Sequence, residues 1–111
     1  MANAVLSGPA PALAARVLPN PVTGADLTDA NLAGAYLIAT NFNAATLNGA
    51  DLTGANLTNA ELSYAMLNLA DLMGANLDLA ELSYANLTGA NLEGANLTNA
   101  VLTDATFAGA S

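Results

Sequence analysis

The sequence predicts an all-β chain wound as a four-sided parallel β-helix, and three observations predict it. Seventeen consecutive pentads run from Ala25 to Gly109, each around an apolar centre five residues from the next, from Leu27 to Phe107. Ala stands two positions before every centre, with one exception at Thr40. Finer repeats return at a lag of twenty: Gly54-Ala55-Asn56-Leu57 recurs as Gly74-Ala75-Asn76-Leu77 and Gly94-Ala95-Asn96-Leu97.

A spacing of five suits neither ordinary element. On an α-helix the leucines would drift by roughly 140° per repeat, and on a flat strand each would flip to the opposite face. Every pentad must therefore change direction. Ala and Leu lie two apart and share a face of a short extended segment, while the residue between them, such as Asp26, Asn31, Asp51 or Asn56, points outward. A turn then brings the next Ala back inward. Ala60-Glu61-Leu62-Ser63-Tyr64-Ala65 returns twenty residues later as Ala80-Glu81-Leu82-Ser83-Tyr84-Ala85, so four pentads complete a coil, and the coil has four sides.

The units Ala50-Asp51-Leu52-Thr53-Gly54 and Ala90-Asn91-Leu92-Glu93-Gly94 resemble those of the pentapeptide-repeat protein family, and the resemblance covers about three quarters of the chain. It implies a right-handed quadrilateral β-helix, here of about four coils of 20 residues. Leucine-rich repeats have a longer, irregular period, and the glycine-aspartate nonapeptides of calcium-binding β-helices are missing.

The expected domain organisation is a β-helix over 25–111 preceded by a cap or linker over 1–24. Residues 1–24 are Ala/Pro-rich and hold the only basic residue, Arg16. Pro9 at a helix start and the Pro19-Asn20-Pro21 stop predict a short helix over 10–18 capping the first coil. The alternatives are an irregular Ala/Pro linker or a targeting remnant at Ala12-Leu13-Ala14-Ala15, which has no basic region before it. Hydrophobic residues make up 54% of the chain, but no apolar run approaches the ~18 residues of a membrane span. The expectation is a soluble protein that inserts in no membrane, with the cytoplasm favoured over a lumenal or periplasmic compartment.

The side chains allow little chemistry. There is no His, Cys or Lys, so the usual bases, nucleophiles and oxyanion-stabilising cations are missing. Carboxylate pairs remain: Asp51 and Asp71, and Glu61 and Glu81, should lie one coil apart at ~4.8 Å along the backbone. A filled prism offers no cleft in which such pairs could act on a substrate. Two acids without a converging loop also make a poor cation site. The chain is therefore read as a non-enzyme needing no cofactor or metal, with Asp51, Asp71, Glu61 and Glu81 as an acidic exterior.

Three functional readings follow. The first is a protein-interaction or scaffold module with an unidentified protein partner. Its candidate contact surface is Tyr64, Met66, Leu69, Met73, Leu79 and Tyr84, outward apolar residues that cluster in the sequence. Tyr36 and Ile38 are also expected to point outward. The second reading starts from the net charge of −8 and comes through the family resemblance: several pentapeptide-repeat proteins imitate duplex DNA and bind type II topoisomerases. Nine acids over ~20 Å give one charge per ~2.2 Å, against ~1.7 Å for the duplex, although they are expected to scatter over all four sides. Neither reading involves direct nucleic-acid binding. The third is a purely structural or designed, consensus-like solenoid. A last coil ending at Ala105 and Phe107 also predicts stacking of that coil on a second copy, an arrangement the resemblance supports. Outward threonines raise ice binding, but the row Ile38, Thr58, Asp78, Thr98 is broken at alternate coils.

Overall fold

The computed structural model describes residues 22–111, so the cap helix expected over 10–18 lies outside the described residues. Every outward middle residue from Asp26 to Asn86 forms a parallel bridge with the residue twenty further on. These bridges form four ladders: Asp26, Thr46, Met66, Asn86, Thr106; Asn31, Asp51, Asp71, Asn91; Tyr36, Asn56, Asn76, Asn96; and Asn41, Glu61, Glu81, Val101. Each ladder is the flat of one side, and we refer to the sides by Met66, Asp71, Asn76 and Glu81.

Backbone accounting explains the pentad. In the unit around Leu57, the Ala60 amide donates to the Leu57 carbonyl at 2.9 Å and closes the turn. The amides of Leu57 and Asn59 donate forward to Asn76 and Asp78 at 2.7 and 2.9 Å, and that of Asn56 donates back to Ala35 at 3.0 Å. One amide per pentad, that of the residue after the centre, is left for a side chain. The Asn56 carboxamide takes it, accepting from the Thr58 amide at 3.1 Å and from the Thr58 hydroxyl at 2.7 Å. This Asx turn is why Asp or Asn recurs before the centre.

The second residue after each centre turns the corner with positive φ throughout, as at Asn59 (59°) and Gly74 (67°). That is the backbone of a turn whose third residue favours Gly or Asn. Glycine meets the demand at Gly34, Gly54, Gly74 and Gly94, which line one entire corner.

Inside, alanines and leucines from Ala25 to Ala90 form one continuous buried core. The pentad pattern also extends one unit towards the N-terminus: Val22 occupies a centre position and is buried in the same core. Thr40 is the one polar residue among the buried described residues. The last coil is more open. Leu87 is 0% exposed whereas Leu102 is 37% exposed, and Ala105 and Phe107 are half-buried. Among the described residues, nothing accepts from the amides of Leu97, Leu102 and Phe107, the donors that earlier centres direct to the following coil.

Candidate contact surface

The ladder register sorts the outward apolar residues. A side consists of the three residues Ala, middle and centre, and the two residues that follow make the corner. Met66 lies on the flat of its side, Tyr64 and Tyr84 occupy the corner leading into that side, and Leu69 occupies the corner leading out. These four predicted residues are brought together. Met73 falls one corner further on, and Leu79 lies on the corner between the Asn76 and Glu81 sides. The structure therefore separates Met73 and Leu79 from the other four, although all six are exposed. Tyr36 and Ile38, also exposed, belong to the Asn76 side and its following corner.

Tyr64 and Tyr84 stack with ring centroids 4.9 Å apart and planes inclined by 7°. That separation is the spacing between coils, so the two rings make one continuous aromatic ledge along the corner. Leu69 is 74% exposed and leans along its own corner over the next coil: a Cβ added at Gly89 would lie 2.7 Å from Leu69 Cδ2. Gly89 thus leaves room for Leu69, in addition to supplying a φ of +70°.

Local preference opposes this arrangement. Tyr64, Leu69 and Tyr84 all hold φ near 60°, where a residue with a Cβ pays roughly 1–2 kcal/mol. Met66 and Glu61 also stand where Asp or Asn would otherwise accept the odd amide. The acceptor is instead supplied from the coil before: Asn48 Oδ1 accepts from the Asn68 amide at 2.9 Å, and Asn43 Oδ1 accepts from the Ser63 amide at 2.9 Å. Asn43 also donates to the Glu61 carboxylate at 3.1 Å. The hand-over frees the Met66 position for an apolar side chain. It stops one coil later, because the Thr88 amide donates to Asn86 and leaves Asn68 Oδ1 buried and accepting nothing among the described residues.

The predicted acidic residues occupy the two neighbouring sides. Asp51 and Asp71 pair on one ladder, and Glu61 and Glu81 pair on the other. Glu81 is tied to the Ser83 amide at 2.9 Å and to the Ser83 hydroxyl. Asp26, Asp29 and Asp104 lie on the Met66 side or its two corners. Seven of the nine acids therefore lie on the Met66 side, its corners or the flanking ladders, and the Asn76 ladder carries none. The remaining two, Glu93 and Asp78, lie at the two corners of the Asn76 side, so acids reach every side of the coil, as the sequence leads one to expect. At Asp26, the Thr28 hydroxyl and then the Thr28 amide donate to the carboxylate and hold its pKa below 3.8.

Val101 is an outward apolar residue that the sequence reading passed over, on the ladder below Glu81 and exposed. An apolar residue immediately before a centre, as at Met66, was the available signal. Among the described residues there is no pocket, no group of three potential metal-ligating side chains, and no helix long and apolar enough to cross a membrane.

The pentapeptide-repeat family model matches residues 23–59, 40–78 and 80–111, with eight copies. The chain belongs to the pentapeptide-repeat family. Its members fold as right-handed quadrilateral β-helices and are in general interaction or structural modules rather than enzymes. Among solved structures, HetL from the cyanobacterium Nostoc, a pentapeptide-repeat protein involved in heterocyst differentiation regulation, is 43% identical with a TM-score of 0.72, over 75% of this chain and 38% of its own. Rfr23 from the cyanobacterium Cyanothece is 42% identical with a TM-score of 0.77, over 78% of this chain and 58% of its own. A pentapeptide-repeat protein of the Arabidopsis thaliana thylakoid lumen is 32% identical with a TM-score of 0.64, over 82% of this chain and 57% of its own. This chain thus spans between about two fifths and three fifths of the relatives it matches. Comparison with curated proteins gives no significant match.

Proposed function

We propose that this pentapeptide-repeat chain is a non-enzymatic interaction or scaffold module that docks a protein partner on its Met66 side. One observation carries the reading: Tyr64, Met66, Leu69 and Tyr84 are exposed on one side and its two corners, three of them in a backbone conformation that disfavours them. Exposed apolar residues gathered at a local energetic cost mark a surface kept for contact. Met73 and Leu79 stay outside the proposed patch because they lie on other corners.

The test compares two exterior variants by affinity capture from the source cell extract. Replacing Tyr64, Leu69 and Tyr84 by Ser should abolish capture of the proteins retained by the unaltered chain, while replacing Tyr36 and Ile38 by Ser should not. Identical capture by both variants would overturn the assignment.

Nine acids, with no Lys or Arg among the described residues, favour a second reading, an acidic duplex mimic acting on a type II topoisomerase. Charge is thinner on the Asn76 side, where Glu93 and Asp78 at the two corners are the only acids, whereas a duplex carries charge evenly all round. A DNA gyrase supercoiling assay decides: inhibition or protection at micromolar protein supports mimicry, and no effect rules it out.

A further inference from the structure

We infer that the occupant of the Met66 side is an extended basic polypeptide segment whose arginines sit on the Tyr64–Tyr84 ledge while its apolar residues cover Met66 and Leu69. The inference deepens the docking assignment above and depends on it. Charge complementarity selects the occupant. The apolar patch is bordered by Glu61 and Glu81 on one flank and by Asp104 on the same corner as the two tyrosines, while Asp51 and Asp71 add charge on the other neighbouring side, their carboxylates accepting from the Thr53 and Met73 amides at its far corner. The described residues hold no cation that could neutralise this rim.

The ledge adds a preference for the kind of cation. A guanidinium stacks over an aromatic face and at the same time presents its edge to carboxylates, which an ammonium does less well. The two exposed tyrosine rings stack in parallel planes, so each turns one outer face away from the other ring, towards Ala44 at Tyr64 and towards Asp104 at Tyr84, and the paired glutamate ladder runs on the flank beside them. Met66 and Leu69 then supply an adaptable apolar floor for side chains on the same face of the bound segment. A second copy of the chain is a poor occupant, since it would bring a like-charged rim against this one and cost affinity through repulsion.

The experiment uses fluorescence anisotropy with the full chain and a labelled peptide, Arg-Ser-Leu-Ser-Arg-Ser-Leu-Ser, in which residues two apart share a face. Control peptides replace Arg by Lys or by Ser. The Arg peptide should bind most tightly and weaken with salt. Its affinity should fall about tenfold in Y64S/Y84S and stay unchanged in Y36S. Equal loss in Y36S, or no loss in Y64S/Y84S, would show general polyanion binding and overturn the inference. Equal binding of the Ser-substituted peptide through Tyr64 and Met66 would overturn the basic occupant while leaving the docking side in place. Absence of binding by every peptide at millimolar concentration would overturn it as well. In that case, self-association of the chain that Y64S/Y84S abolishes would identify a second copy as the occupant.

Discussion

The Met66 and Asn76 sides share one backbone and one core, and they differ in how their exteriors treat that backbone. On the Asn76 side, Asn56, Asn76 and Asn96 each accept the odd amide of their own pentad, and the corner leading into it is glycine from Gly34 to Gly94. At those positions the local demand is met by the residue type that meets it most cheaply, whereas Tyr36 on the same ladder and Ala39 and Leu79 on the corner leading out depart from that pattern. On the Met66 side, a tyrosine pair and a leucine hold the corners and a methionine replaces the amide acceptor. The pentad therefore specifies the solenoid, and the exterior tolerates departures from it, which gather most densely around Met66.

The contrast should vanish in the interior. Leu67→Ala on the Met66 side and Leu77→Ala on the Asn76 side remove equally buried side chains, and each should cost about 2–5 kcal/mol in urea unfolding. A large difference between them would mean that the two sides differ in packing as well as in exterior. The amide hand-over gives the next effect. Asn48→Ala leaves the Asn68 amide without its acceptor and should cost about 1–3 kcal/mol, whereas Asn96→Ala, at a more exposed position, should cost about 0.5–1.5 kcal/mol. Equal costs would show that the transferred acceptor contributes nothing special to the Met66 side. The smallest effect is at Asp26. Its folded pKa lies below 3.8, so its stabilising contribution is present above that pH and is lost as pH falls below it. A carboxyl-detected NMR titration should place the Asp26 midpoint below 3.8, and Thr28→Ala should raise it.

Much of this architecture is legible in the sequence because a period of five permits so few shapes. Leu27 to Leu87 are buried as the spacing requires, and the lag of twenty appears directly as ladder pairing. The exterior was less legible. Asp and Asn before the centre read as solvated residues, since an Asx turn depends on an amide whose loneliness shows only when every backbone bond is assigned. Six apolar residues close in sequence read as one surface, but five positions of chain turn a corner, so Met73 and Leu79 leave the patch that Tyr84 joins from a coil away. Asn43 and Asn48 gave no sign of supporting Glu61 and Met66, because the support crosses between coils at a lag of twenty.

The most direct test of whether the Met66 side serves contact at the expense of stability is the urea midpoint of Leu69→Gly. Leu69 is largely exposed and sits at a φ of 61°, so glycine should relieve the corner and raise stability by about 1 kcal/mol at unchanged m. A lower midpoint would contradict the account, because it would show that Leu69 is held there by the fold itself and not kept for a partner.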